Sequence, residues 1–79
     1  MKIPRDLSGN DLVEALCRHW AYRVVHQEGS HIVLETSVPS HQRVAVPAHR
    51  ILRVGTLNAI LRAVSGHKGV SRQQIIESF

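Results

Sequence analysis

The fold of this chain depends on residues 22–36, which read YRVVHQEGSHIVLET. Gly29 and Ser30, near the middle of this stretch, are common turn residues, and two residues suffice to close a β-hairpin. Residues 22–28 before the turn mix β-branched, aromatic and polar side chains, and residues 31–36 after it alternate between apolar and polar ones. The stretch therefore predicts two antiparallel strands joined by a tight turn.

The second of these strands begins with a histidine. Successive side chains of a strand point to opposite faces, so Ile32 and Leu34 share one face and His31 lies on the other. With helices covering the apolar face, His31 points to the open face of the sheet. A bulge near Gly29 would change this, because a shift of one residue moves every side chain to the other face.

Residues 42–46 predict a third strand, because Val44 and Val46 alternate with Arg43 and Ala45. A five-residue loop that contains a proline precedes this strand, and a second proline follows and ends it. Arg43 is therefore expected on the open face, beside the histidine that begins the second strand.

A helix is predicted on the amino-terminal side of the sheet, over residues 8–19. Ser8 is its expected N-cap, since Asp11 three residues later can complete a capping box and faces the positive end of the helix. Apolar residues then recur on one helical face, namely Leu12, Val13, Leu16, Cys17 and Trp20. Because the cysteine belongs to this stripe, we expect it in the core and not as a nucleophile.

Two further helices are predicted after the third strand. Thr56 is the expected N-cap of the first, which ends at Gly66. Ser71 and Gln74 form a capping box for a short last helix, whose inward face includes Phe79. The predicted fold class is α+β, with the order α-β-β-β-α and a short extra carboxyl-terminal helix. Its three-stranded antiparallel sheet carries helices on one face.

The composition bounds the class of protein. A chain of 79 residues is long enough for one domain, residues 1–79, with a thin core. Its single cysteine cannot form an internal disulfide, which fits a reducing compartment. There is no charged-then-apolar leader and no long apolar run, so neither secretion nor a membrane partner is indicated. A cytoplasmic protein is expected.

The charge pattern favours a polyanionic partner. The formal net charge is +4 and the isoelectric point is about 10.2. No aspartate or glutamate occurs from Thr36 to Ile76. The basic residues in that span are Arg43, Arg50, Arg53, Arg62, Lys68 and Arg72. Such a region attracts phosphate, so we expect a nucleic acid, although an ordinary solvated surface also carries a modest net charge.

The histidines do not form a recognisable metal motif. Six are present, but no His-x-His or His-Glu-x-x-His spacing occurs, and Cys-x-x-Cys is absent. The acid-free second half of the chain also offers nothing to hold a pair of magnesium ions. We therefore expect neither a metal site nor a cofactor.

Metal-free cleavage of RNA is compatible with these residues. RNA carries its own nucleophile, the 2′-hydroxyl, and a histidine can give or take its proton near neutral pH. An arginine can stabilise the charge that develops on the phosphate. His31 and Arg43 would supply both groups, although most surface histidines have no catalytic role. Of the few aromatic residues, Trp20 and Phe79 are expected in the core, so recognition should rest on phosphate and not on base stacking.

Three stretches give the chain a resemblance to the HicA family of bacterial toxin–antitoxin systems. They are Gly29-Ser30-His31, Val46-Pro47-Ala48-His49 and Gly55-Thr56-Leu57-Asn58-Ala59-Ile60-Leu61. The resemblance implies a fold like a double-stranded-RNA-binding domain. It implies an mRNA interferase, which cleaves RNA without a metal and so arrests translation and growth. The implied partner is a HicB-like antitoxin protein that carries the DNA-binding part, so no direct DNA binding by this chain is expected.

The resemblance also implies roles for individual residues. The catalytic histidine of the family lies in Gly-Ser-His, which is His31 here. RNA contacts are expected from Arg23, Ser30, Arg43, Arg50 and Arg53. Family members often carry basic residues at the positions of His26 and Glu28, so this chain has less positive charge beside the histidine. His49 either positions a phosphate or orders the loop before the second helix, and we favour the loop.

Two other functions remain open. A non-catalytic double-stranded-RNA-binding module would share the fold, but the segment Ser71-Arg72-Gln73-Gln74 lacks the lysine cluster that such modules carry at the start of their last helix. An interaction subunit would use its basic face for an acidic protein. RNA binding without strand scission would favour the module, and failure to bind RNA at low salt would favour the interaction subunit.

Overall fold

The computed structural model of the chain describes residues 7–79. The helices are α1 (Gly9–His19), α2 (Val54–Lys68) and α3 (Arg72–Ile76), and the strands are β1 (Arg23–Glu28), β2 (His31–Thr36) and β3 (Gln42–Pro47). The order along the chain is α1-β1-β2-β3-α2-α3. The predicted α+β class and order of elements are confirmed.

Helix α1 begins at the predicted cap. The Ser8 hydroxyl accepts a hydrogen bond from the Asp11 N–H at 3.0 Å, and the Asp11 carboxylate accepts one from the Ser8 N–H at 3.4 Å. The first of these bonds satisfies an N–H group that a helix start leaves unpaired. Leu12 and Leu16 on the apolar face of the helix are fully buried, and Cys17 packs against the edge of the core. The capping box and the apolar stripe are confirmed.

The strands form one antiparallel sheet with the order β1-β2-β3. Ile32 pairs with Val46 and Leu34 with Val44, and all four side chains are buried on the face that the helices cover. This confirms the alternation predicted for β2 and β3. Strand β3 extends one residue further than predicted, because Pro47 still pairs with the first residue of β2. An edge strand tolerates a proline there, since its missing N–H can face solvent.

Strand β1 contains a bulge at a position that sequence patterns do not mark. Val24 pairs with Leu34, and His26 pairs with Val33, so Val25 is an extra residue without a partner on β2. A bulge of this kind interrupts the alternation of side chains and bends the strand. Because it lies in β1, away from the turn, the facing of β2 is as predicted and its first residue, a histidine, is exposed.

Helix α2 is longer than predicted at both ends. It begins at Val54 with Arg53 as its N-cap, so Thr56 lies inside the first turn and not before it. It ends one residue before Gly69, which adopts a left-handed conformation (φ 69°). Gly66, the predicted end, lies within the helix. A glycine in a helix interior costs only about 1 kcal/mol, and the contacts of the last helical turn with β2 and with the loop before β3 offset this cost.

Helix α3 begins at the predicted cap, where the Ser71 hydroxyl accepts a hydrogen bond from the backbone N–H three residues later at 3.1 Å. Trp20 is half-buried against the core, and its indole N–H donates to the Ser78 hydroxyl at 2.9 Å. The prediction for Phe79 is wrong, because 39% of this residue is exposed. Helix α3 ends at Ile76, so no helical face directs the phenylalanine inward.

The core lies between the covered face of the sheet and the helices. Its largest fully buried side chains are Leu12, Leu16, Leu34, Leu57, Leu61, Ile75, Val46 and Val64. The other face of the sheet carries no helix of the described chain, which leaves it accessible to a large ligand. Within residues 7–79, no helix combines the length and apolar character needed to cross a lipid bilayer.

Candidate functional site

His31 lies at an end of the sheet where three segments of the chain meet. It pairs with Glu28 of β1 on one side and with Pro47 of β3 on the other. The Ser30 carbonyl accepts a hydrogen bond from the Ala48 N–H at 2.5 Å, which joins the turn before β2 to the segment after β3. We call the part of the sheet formed by Glu28, His31 and Pro47 the His31 end.

Helix α1 begins at the His31 end. The Gly9 N–H donates to the His49 carbonyl at 2.9 Å. A Cβ atom on Gly9 would lie 1.9 Å from the Pro47 carbonyl oxygen, so only glycine fits this close approach. The backbone of His49 thus helps to order the loop after β3, a role that does not depend on its side chain.

Helix α2 leads away from this end, because residues 48–53 join β3 to its first turn and its last turn contacts Thr36 at the other end of β2. The first turn contains no acidic residue, and no side chain caps it. The start of a helix presents N–H groups without helical partners and carries a partial positive charge. Arg50 and Arg53 in the preceding loop are exposed. These groups add positive potential to the His31 end.

Arg23 and Arg43 lie at the opposite end of the open face. Both pair with Glu35, one from each side. Glu35 is four residues along β2 from His31, a separation of roughly 13 Å. The prediction that Arg43 lies beside His31 is therefore wrong, because the pairing register sets it at the far end of the strand. This end is named the Thr36 end, after the last residue of β2.

Glu35 binds part of the positive charge at the Thr36 end. The Nε and Nη2 atoms of Arg43 donate to Oε2 of Glu35 at 3.0 and 2.5 Å, and Nε2 of His41 lies 3.2 Å from Oε1 of the same carboxylate. The hydrogen bond from Arg43, and then that from His41, holds the pKa of the Glu35 carboxyl below its usual value. Arg43 is thus engaged within the protein.

Two further titratable side chains stand on the open face near His31. Glu28 is its direct neighbour across the β1–β2 pairing, and His26 comes two residues earlier on β1. Nε2 of His26 lies 3.8 Å from Oε2 of Glu28. The bulge lets Arg23 share this face with both residues, whereas strict alternation would put Arg23 and His26 on opposite faces.

Within residues 7–79, neither a cluster of metal-binding side chains nor the free cysteine nor the groove beside α1 coincides with His31. No three histidine, cysteine, aspartate or glutamate side chains in this range are arranged to hold a metal ion. Burial raises the pKa of the Cys17 thiol, which disfavours the reactive thiolate. A groove of about 380 Å³ runs between α1 and residues Ser78 and Phe79, and His31 does not line it. The open surface around His31 suits an extended ligand better than a small enclosed one.

Polar contacts fasten the Thr36 end to helix α2. The Lys68 ammonium donates to the Thr36 hydroxyl at 2.8 Å and to the Val38 carbonyl at 2.5 Å, and it lies 4.8 Å from the centre of the Tyr22 ring. The Tyr22 hydroxyl donates to the side chain of Gln42. Burial raises the pKa of Tyr22 to about 12 and lowers the pKa of Lys68. These side chains stabilise the packing of α2 against the sheet.

The predicted site residues therefore fall into two groups. Those at the His31 end are His31 and Ser30, with Arg50 and Arg53 in the loop that leaves this end, and those at the Thr36 end are Arg23 and Arg43. The two-residue turn places Glu28 opposite His31, and alternation puts His26 on the same face. Sequence patterns do not reveal that Arg23 shares this face, because two adjacent valines carry no signal for the bulge that turns it there.

A family model for HicA toxins of bacterial toxin–antitoxin systems matches residues 9–65. The matched range contains α1, the whole sheet and most of α2, and so includes both ends of the open face. Comparisons with curated proteins and with solved structures gave no match.

Proposed function

We propose that this chain, which belongs to the HicA family of bacterial toxins, is a metal-independent endoribonuclease with His31 as an acid–base residue. Its substrate is mRNA, and cleavage arrests translation and growth. Because HicA toxins act in toxin–antitoxin systems, we also propose a HicB-like antitoxin protein as the partner.

The observation that carries this proposal is the setting of His31. The side chain is exposed on a face of the sheet that no described helix covers. A histidine in such a place can take the proton of an RNA 2′-hydroxyl, which frees the 2′-oxygen to attack the adjacent phosphorus. The same open face gives an RNA strand room to pass.

Positive groups in the segment that follows β3 support the proposal. Arg50 and Arg53, together with the uncapped start of α2, attract a phosphate to this end of the sheet. Ser30 adjoins His31 in the turn. Arg23 and Arg43 would contact the RNA backbone further along the open face, so the strand runs from the His31 end towards the Thr36 end.

The test is RNA cleavage by purified protein in excess EDTA, with wild type and His31→Ala compared. Acid–base residues typically contribute 10²–10⁴-fold to rate, so His31→Ala should lower the cleavage rate by at least about 100-fold. His19→Ala is the matched control, because His19 is an exposed histidine at the end of α1. Circular dichroism of all three proteins checks that the fold is retained.

Cleavage by His31→Ala at the wild-type rate would contradict the role of His31. RNA binding without scission by either protein would favour the double-stranded-RNA-binding module instead. Induced expression in bacteria gives a second readout, since wild type should arrest growth and His31→Ala should not.

A further inference from the structure

We propose that His26 is a second acid–base residue of the same reaction, and that Glu28 positions it. This inference rests on the proposed ribonuclease function. It follows from the register of β1 and β2, which gathers His26, Glu28 and His31 on the open face.

The spacing of the two histidines fits a phosphate between them. His26 pairs with Val33, which lies two residues after His31 on β2. Diagonal neighbours of this kind are about 7–8 Å apart in an antiparallel sheet. This is the separation of the two residues along the sheet, and from it both imidazole rings can reach one phosphodiester group that lies on the open face.

Cleavage of RNA by its own 2′-hydroxyl needs two proton transfers. One group removes the proton from the 2′-hydroxyl, and the 2′-oxygen forms a bond to phosphorus. The bond from phosphorus to the 5′-oxygen breaks, and a second group gives that oxygen a proton. The products are a 2′,3′-cyclic phosphate and a 5′-hydroxyl, so two groups on opposite sides of the phosphate complete the reaction without a metal.

The contact of Glu28 assigns the two roles. Oε2 of Glu28 lies 3.8 Å from Nε2 of His26, and this contact becomes an ion pair only when His26 carries its proton. The arrangement suits a proton donor, so His26 protonates the leaving 5′-oxygen and His31 accepts the proton of the 2′-hydroxyl. Glu28 acts through His26, as a positioning residue that orients the ring.

Other charged or titratable groups lie near this face, and none of those described is a carboxylate in contact with His26 apart from Glu28. From the strands they are Arg23, Glu35 and Arg43, and from the loops His41, His49, Arg50 and Arg53. Glu35 is engaged by Arg43 and His41 at the far end of the face. Within residues 7–79, Glu28 is the carboxylate that lies within ion-pair distance of His26.

The test compares two RNA substrates that differ in one atom. In the first, the leaving atom is the natural 5′-oxygen. In the second it is sulfur, which leaves as a thiolate and needs no proton. His26→Gln should slow cleavage of the oxygen substrate by about 100-fold and cleave the sulfur substrate at nearly the wild-type rate. His31→Gln should lose both activities, because the 2′-hydroxyl still needs a base.

The pH profile gives a second readout. A proton donor must be protonated, so wild-type activity on the oxygen substrate should fall at alkaline pH. His26→Gln should lack this alkaline fall. Glu28→Gln should slow only the oxygen substrate, since it acts through His26. His41→Gln is the matched control, because His41 also contacts a carboxylate. That contact lies at the Thr36 end, away from the two proposed acid–base residues, so both rates should stay unchanged.

Wild-type rates and an unchanged pH profile in His26→Gln would overturn the inference. Equal losses on both substrates would also overturn it, because they would indicate a role in RNA binding and not in proton donation. Wild-type protein that cleaves neither substrate would instead overturn the proposed function itself. His26 is exposed, so its replacement leaves the core intact, and circular dichroism verifies this.

Discussion

At the Thr36 end of the sheet, side chains hold the molecule together, and at the His31 end the backbone does. Lys68 fastens helix α2 to β2 through the Thr36 hydroxyl at 2.8 Å. At the other end, the Gly9 N–H holds helix α1 to the loop after β3 through the His49 carbonyl at 2.9 Å. The His31 end thus keeps its polar side chains exposed, while the Thr36 end commits several of its own to stability.

This difference separates stability from activity. Side-chain changes at the His31 end should affect RNA cleavage and leave the fold in place. Changes to Lys68 and its partners at the Thr36 end should weaken the fold and spare cleavage. Only a change that disturbs the backbone should destabilise the His31 end, and three substitutions test these expectations.

Gly9→Ala should have the largest effect on stability. Its Cβ would lie 1.9 Å from the Pro47 carbonyl oxygen, and a backbone atom cannot move aside as a flexible side chain can. Overpacking of this kind costs typically 1–3 kcal/mol, so we expect a loss of about 3 kcal/mol in the free energy of unfolding. Urea unfolding measures it as a lower midpoint.

Gly66→Ala is the matched control for Gly9→Ala. Nothing lies within 4 Å of a Cβ at Gly66, and alanine is the better helix former, so stability should rise by about 0.5–1 kcal/mol. A loss below about 1 kcal/mol for Gly9→Ala would mean that α1 shifts away from β3 without cost, and would contradict the close backbone contact.

Lys68→Met should have an intermediate effect, confined to stability. Methionine keeps an apolar side chain of similar length but removes the hydrogen bonds to Thr36 and Val38. The expected loss is about 1–2 kcal/mol, measured by urea unfolding beside Arg62→Met, an exposed position on the same helix. The rate of RNA cleavage should not change. A lower cleavage rate at full stability would contradict the separation of the two ends.

Glu35→Gln should have the smallest effect, and that effect should depend on pH. Arg43 and His41 hold the pKa of Glu35 below its usual value of 4.5. The charged carboxylate therefore stabilises the folded state above that pH, and this contribution is lost as the pH falls through the lower folded-state pKa. Wild type should be slightly more stable than Glu35→Gln at neutral pH, and this difference should shrink at an acid pH well below 4.5. An equal difference at both pH values would contradict an ionic origin.

Local chemistry predicts much of this fold. The caps at Ser8 and Ser71 depend on residues only three positions apart, and the facing of β2 depends on alternation within one strand. Such local rules do not locate the end of α2, because both Gly66 and Gly69 could terminate the helix. Contacts of Lys68 with the distant β2 carry the helix past the first glycine.

The candidate site is predictable to a smaller extent. The facing of His31 follows from period-two geometry, and its role from a family resemblance. The distance between His31 and Arg43 does not follow, since it depends on how β2 and β3 are aligned along their length. The facing of Arg23 depends on an unpaired residue in β1, and no local rule locates that residue.

The bulge at Val25 also affects how the molecule behaves among its own copies. Strand β1 is an edge strand, all six of its residues are exposed, and Val24 and Val25 expose 51% and 40% of their surface. An edge strand with exposed apolar side chains is a place where a strand from another chain can pair, which promotes aggregation. A bulge bends and twists the edge, which interrupts the row of groups that an incoming strand would need. The unpaired valine thereby makes the β1 edge a poorer template for a strand of another copy.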